Sequence, residues 1–398
     1  MRSGLLLAHC VEVDESSGKQ LPHVRKLRVA IVAPTLRILG GHSVQAQRLL
    51  DGWKRDDDVD AWLVPINPEP TGPAARLLAI KYVRTILTQL LYWPQLVRQL
   101  RRADVVHVFS ASYASFLLAP LPAILVAKLL GRPVVLNYHS GEADDHLRRS
   151  RIARALIAKC DATVVPSRYL VDVFSALGFN ASAIPNVVDL KRFAYRRRHG
   201  ISPRILSVRN FERIYNVACT LRAFQLVQKR WPNAELTLVG SGSQELLLRA
   251  LVRDLALEHV TFAGRIHPDQ MADYYASHDI YLQSPDIDNM PISVLEAYAC
   301  GLPVVSTETG GVPAILTHGE HGLLAPVDDH AALAERALLL LEQPGLACEL
   351  AERARVRCDD FQWHHVRDQW LSHYRQVWRP HDNGTAARLR LNPPAQAE

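Results

Sequence analysis

Asp288 to Ser306 reads D-N-M-P-I-S-V-L-E-A-Y-A-C-G-L-P-V-V-S. The spacing predicts a helix over Ile292–Ala299, closed by Gly301 and Pro303, and the apolar run Pro303–Val305 after it predicts a buried parallel strand. Glu296 then lies about one turn inside the helix, with Asp288 and Asn289 in the loop before it. A loop feeding a helix amino end presents free N–H groups and a positive dipole, which suits phosphate. Two acids at this spacing also fit an ordinary strand-loop-helix unit that needs no ligand.

On both sides of this unit short apolar runs alternate with longer amphipathic ones, the pattern of parallel sheets covered by helices. Strands are expected at Arg28–Ala33, Ala61–Pro65, Asp104–Phe109, Pro133–Tyr138, Ala162–Val165 and Ser182–Ile184. Helices are expected between them at His42–Trp53, Val83–Arg102, His146–Lys159 and Arg168–Leu177. The alternation restarts with a strand at Arg204–Val208, after a basic stretch Lys191–Pro203 that marks the domain boundary. Strands Ala234–Val239, Val260–Ala263 and Ile280–Gln283 follow, with helices Tyr215–Lys229, Ser243–Leu255 and Pro268–Ala276 among them. The expected organisation is α/β: a Rossmann-like domain over 26–198, a second over 199–362, and a helix over 363–380 packing back on the first. Segments 1–25 and 381–398 are expected to be disordered.

The 398 residues suit two domains, and 48% hydrophobic with 22% charged residues is the balance of a globular protein. A formal charge of +6 and a pI near 9.0 favour anionic partners. The basic clusters at Arg98–Arg102, Arg148–Arg154 and Arg196–Arg198 lack aromatic interleaving, so they read as solvated faces or a membrane-surface patch, with no nucleic acid expected. Six scattered cysteines show no C-x-x-C pair, which supports neither a metal site nor a disulfide framework. The first residues lack a secretory core, so a cytoplasmic chain is expected. Tyr113–Leu130 is apolar but interrupted by Pro120, Pro122 and Lys128, and reads as a buried helix under a sheet.

Several residues fall at strand ends, where open α/β sheets bind ligands. Gly40 and Gly41 follow the first strand, permitting close backbone approach or a simple tight turn. His139, in N-Y-H-S-G-E, can hydrogen-bond a hydroxyl, carry a proton, or merely brace a loop carbonyl. The neighbouring Glu142, Asp144 and Asp145 read as an exposed acidic loop, with no metal expected. Arg209 ends the first strand of the second half and Arg213 follows, a pair able to neutralise a diphosphate. Gly240, in V-G-S-G-S, and the glycines of T-G-G-V-P-A-I either approach a ligand or turn the chain.

The ordered set of segments resembles the family 4 retaining glycosyltransferases of the GT-B fold, over roughly residues 28 to 378. The resemblance is carried by the Gly40–Gly41 pair, I-P-N-V-V-D-L-K-R-F, A-E-L-T-L-V-G-S-G-S, F-A-G-R-I, Y-Y-A-S-H-D-I-Y-L-Q-S-P, G-L-P-V-V-S-T-E-T-G-G-V-P-A-I-L and H-G-L-L-A-P. Asp288 and Glu296 stand where that family has its E-x7-E motif. It implies a metal-independent hexosyl transfer, without a cofactor, from a nucleotide sugar held mainly by the second domain to a glycan, lipid-linked or small-molecule acceptor on the first. Glu296 would hold the ribose, and Asp288 would touch the donor sugar. The loop Asn289, Met290, Pro291, Ile292, Ser293 and Val294 would lie against sugar and phosphate, with His139 facing the sugar. Arg209 matches the basic residue that meets the diphosphate.

The family's lysine and glycine after that arginine are absent from R-N-F-E-R-I-Y-N-V, and Arg213 is the expected substitute. Pro291 also removes an N–H from the motif loop. These departures keep open a non-catalytic relative that binds a glycan or partner; a Rossmann oxidoreductase is disfavoured by the lack of a dinucleotide fingerprint. Ile80–Arg102, with Lys81, Arg84, Arg98, Arg101 and Arg102, reads equally as a peripheral contact at the inner face of a membrane or as a surface helix near the acceptor site.

Overall fold

The computed structural model describes residues 25–38, 40–68 and 81–378. The expected disordered segments lie outside these apart from Arg25, as do Ile80 and the last two residues of the expected 363–380 helix.

Two six-stranded parallel sheets form the frame. The first comprises β1 (Leu27–Ala33), β2 (Val59–Pro65), β3 (Val105–Ser110), β4 (Val134–Tyr138), β5 (Ala162–Val165) and β6 (Ser182–Ala183), in the order β2-β1-β3-β4-β5-β6. The second comprises β7 (Arg204–Val208), β8 (Glu235–Val239), β9 (Val260–Gly264), β10 (Ile280–Leu282), β11 (Val304–Thr307) and β12 (Leu323–Ala325), in the order β12-β11-β10-β7-β8-β9. These are the two Rossmann-like halves of the GT-B fold. In each sheet the first strand has neighbours on both sides, so the strand order reverses beside β1 and beside β7. A crevice opens at the carboxyl ends of the strands at such a point.

Burial on both faces explains the unbroken apolar runs. Along β1, Ala30 and Val32 enter one core, covered by Lys81–Leu100, Pro120–Leu129 and Arg168–Ala176. Val29, Ile31 and Ala33 enter the opposite core, covered by the helices Gly41–Trp53 and Trp363–Val377. The C-terminal helix thus returns to the first sheet, burying Val366, Trp370, Leu371 and Tyr374 there. Its entry is fixed by Trp363 edge-on to Trp53 at 4.7 Å and by Arg367 pairing with Asp56 at 2.6 Å and Asp58 at 2.5 Å.

Four expectations are corrected. His146–Lys159 is two helices, Ala143–Arg149 and Arg151–Ile157, because Ser150 accepts from Ala153 N at 3.1 Å and caps the second. Tyr113–Leu130 is likewise two helices, parted at Ala119, and it is not fully buried: Leu117, Leu118, Leu125 and Leu129 face outward. The helix expected from Tyr215 starts at Val217, behind a left-handed Asn216 (φ 41°) whose side chain accepts from Cys219 N at 3.2 Å.

The fourth concerns the Arg196–Arg198 cluster, in which Arg196 and Arg197 are exposed as expected but Arg198 is not. Arg198 is buried, donates to the carbonyls of Cys300 (2.8 Å), Gly301 (2.7 Å) and His278 (2.6 Å), and pairs with Asp279 at 3.3 Å. It therefore fastens the chain between β6 and β7 to the C-terminal end of the Ile292–Ala299 helix. Among the described residues no helix is long and apolar enough to cross a membrane.

Candidate functional site

The loops after the paired strands β7 and β10 emerge side by side, one carrying Arg209 and the other Asp288. The Arg209 guanidinium donates to the Asp288 and Gln283 side chains and lies over the Tyr215 ring, 5.2 Å from its centroid. The other Asp288 oxygen accepts from Asn289 N at 2.8 Å. Burial opposes the arginine's charge, but the field of Asp288 outweighs it and holds the guanidinium ionised. Arg209 Nε has no hydrogen-bond partner in the protein.

Glycines set this geometry by close approach. A Cβ on Gly240, which has φ +145°, would lie 1.9 Å from the Arg209 carbonyl oxygen. One on Gly310 or Gly311 would lie 2.0 Å from the Asp288 or Asn289 carbonyl oxygen respectively. The T-G-G turn therefore supports the carboxylate loop from behind, and Gly240 both supports Arg209 and borders the cleft.

Glu296 stands in the second turn of the Ile292–Ala299 helix. One oxygen accepts from Arg48 at 2.6 Å and the other from the Tyr275 hydroxyl at 2.9 Å. Burial and the neighbouring carboxylate raise the Tyr275 phenol well above its ordinary range, so it remains a donor.

His139 follows β4 across the cleft, stacked on Phe109 at 5.1 Å and edge-on to His42 at 5.3 Å. Its Nε2 is buried without a partner. Burial, then the neighbouring His42 and His107, lowers its pKa well below the usual value, so the ring is neutral near pH 7. Burial lowers His42 to about 4.

These groups border one cleft of about 640 Å³ between the two sheets, within the range of small-molecule sites. Gly40, Gly41, His139, Arg209, Gly240, Asp288, Asn289, Met290, Pro291, Ile292, Ser293 and Glu296 all line it. Val294 does not, being fully buried in the core behind the helix. Arg213 does not either: it is exposed on the turn Arg213–Tyr215, and Ile214 and Tyr215 border the cleft instead. Glu142 departs from the exposed acidic loop, since it lines the cleft while Asp144 and Asp145 pair with Arg148 and Arg149.

Sequence reasoning missed the cross-cleft contacts on the motif loop. Ser167 donates to the Asn289 side chain, Asn186 Nδ2 donates to the Met290 carbonyl at 2.9 Å, and Arg48 reaches Glu296. It also missed His42 and Tyr215. Only His42 had a local signal, directly after Gly40–Gly41 at a helix start.

The family described as glycosyl transferases group 1 matches residues 191–357, and glycosyltransferase family 4 matches residues 39–192. The chain belongs to glycosyltransferase family 4. Among its relatives, N-acetyl-alpha-D-glucosaminyl L-malate synthase of Bacillus anthracis is 28% identical, over 58% of this chain and 60% of that protein. Phosphatidyl-myo-inositol mannosyltransferase of Mycolicibacterium smegmatis is 27% identical, over 69% of this chain and 71% of that one. The chain thus spans less than two thirds of the first relative and somewhat more of the second. The crystal structure of Anabaena Alr3699/HepE in complex with UDP superposes with a TM-score of 0.67 at 17% identity, covering 89% of this chain and all of that one, which shows a shared GT-B fold.

Proposed function

We propose that this family 4 glycosyltransferase moves a hexosyl group from a nucleotide-sugar donor to a glycan, lipid-linked or small-molecule acceptor, with retained anomeric configuration. The observation that carries this is the meeting of Arg209, Asp288, Glu296 and His139 in one cleft, on loops from two facing sheets. Arg209, ionised and held by Asp288, is aimed where a leaving diphosphate needs positive charge. The amino ends of the helices Gly41–Trp53 and Ile292–Ala299 open on the same space and add oriented N–H groups. Neutral His139 hydrogen-bonds the donor sugar. The leaving phosphate accepts the acceptor's proton, so neither a protein nucleophile nor a metal ion is required, and chelation by EDTA leaves the rate unchanged. Closure of the cleft keeps water from the donor.

The acceptor enters from the first domain, at a surface suited to an anionic bilayer. Ile86, Leu90 and Trp93 are exposed along Lys81–Leu100, and the Gln89 side chain donates at 2.9 Å to the carbonyl of Leu118, beside exposed Leu117. Arg84, Arg98, Arg101 and Arg102 lie on or just after the same helix. Sedimentation with anionic but not neutral liposomes at low salt is the expected result; no sedimentation with either removes the membrane from the account.

Product analysis after incubation with mixed UDP-, GDP- and ADP-sugars and candidate acceptors tests the main reading. A glycoside with the donor's anomeric configuration is expected. An inverted product contradicts retention.

A further inference from the structure

We infer that Arg48, contributed by the first domain, is a positioning residue of the donor site that holds Glu296 ready for the nucleotide ribose. The inference rests on the reading of Glu296 as the ribose-binding carboxylate. Arg48 lies in the helix Gly41–Trp53, whereas Glu296 belongs to the second domain, so their 2.6 Å ion pair crosses between the domains. Both side chains are nearly buried, at 9% and 10% exposure.

The guanidinium is itself fixed on three sides. Its second terminal nitrogen donates to the Val187 carbonyl at 2.7 Å, and its carbon lies 5.8 Å from the Phe193 ring centroid. Gln45, one helical turn earlier, clamps the same backbone, accepting from Val187 N and donating to Val187 O, both at 2.8 Å. An arginine held through both terminal nitrogens, one on Val187 and one on Glu296, fixes the place of the carboxylate oxygen it meets as well as supplying charge.

The chemistry leaves room for a ligand. An ionised carboxylate accepts about four hydrogen bonds. Glu296 uses one on each oxygen, for Arg48 and for the Tyr275 hydroxyl, and both Glu296 and Arg48 border the cleft. The remaining lone pairs suit the paired hydroxyls of a ribose. Beside the neutral Tyr275 phenol, Arg48 is the positive group in hydrogen-bond contact with this carboxylate. The ribose grip is therefore complete only when the first domain is in place, which couples nucleotide affinity to domain closure.

Calorimetric titration of the full chain with UDP, GDP and their 2′-deoxy counterparts, at matched pH and salt, tests this. Wild type should bind a ribonucleotide at least about tenfold more tightly than its deoxy form, as expected for hydroxyls bonded to a charged acceptor. In Arg48→Met that ratio should fall to within about twofold of unity, a change that loss of packing alone does not produce. Arg48→Lys keeps the charge but cannot hold Val187 and Glu296 together, and should give an intermediate ratio even if Arg48→Met fails to fold. An unchanged ratio in a folded Arg48 variant, or tighter ribonucleotide binding by it, overturns the inference. Glu296→Gln separates the two layers: if it collapses the ratio while the Arg48 variants do not, only the role of Arg48 fails. If Glu296→Gln also leaves the ratio intact, the ribose reading of Glu296 fails with it.

Discussion

Arg209 and Asp288 form a nearly buried ion pair in which the acid holds the arginine's charge, and the proposed role of that charge is to meet the leaving diphosphate. Arg209→Met should lower kcat by about 10²–10³, the usual effect of removing one pre-aimed electrostatic donor. Steady-state rates on a transferred sugar check this, and an unchanged kcat places the leaving group elsewhere. His107, fully buried, and His42, partly buried at the cleft, carry a separate consequence. His42 at about 4 and His107 at about 3 titrate below an unfolded histidine at about 6.5. As pH falls below about 6.5 the unfolded chain takes up protons that the folded chain refuses, so stability is full above that pH and is lost on acidification. The loss is up to about 1.4 kcal/mol per pH unit for each group until its folded pKa is reached. Urea unfolding at pH 7 and pH 5 should show a clear fall in stability; equal midpoints with equal slopes contradict the lowered pKa values of these rings.

Elements whose signals are local were legible in the sequence. Ile292–Ala299 has the expected bounds because Pro291 opens it and Gly301, at φ +72°, closes it, and β5 and β7 match because each run lies between a proline and a charged residue, Asp161 and Pro166 for β5, Pro203 and Arg209 for β7. Ser150 and Asn216 were not legible as helix starts, since each sits inside a helical pattern and acts through a side-chain cap that periodicity does not record. The candidate site divides in the same way. Arg209, Asp288 and Glu296 are readable at strand and helix ends, whereas Arg48 meets Glu296 across 248 positions and only the packed structure joins them. Packing also explains Gly52, in the last turn of the Gly41–Trp53 helix, where a Cβ would lie 2.4 Å from Trp363 Cε2. Alanine would gain at most about 1 kcal/mol of helix propensity, but displacing the Trp363 ring costs about 1–3 kcal/mol. Gly52→Ala should therefore lower the urea midpoint, and a raised midpoint would show that the C-terminal helix sits less tightly on the first sheet.

For the whole molecule, the two sheets present their carboxyl edges to one cleft, and the chain crosses between them twice. The first crossing follows β6, fastened by Arg198; the second leads to Trp363–Val377, clamped by Arg367 on Asp56 and Asp58. Arg209, Asp288 and Glu296 stand on one half, His139 and His42 on the other, and the contacts of Ser167, Asn186 and Arg48 with the motif helix and its loop register the halves. The central claim is that this cleft holds a nucleotide-sugar donor by its ribose and diphosphate. Calorimetric titration of folded wild type and Glu296→Ala with UDP-, GDP- and ADP-sugars tests it most directly. The account predicts saturable binding of at least one of them by wild type, weakened at least about tenfold in the variant. Binding of none of them by folded wild-type protein, or equal binding by the two proteins, would contradict it.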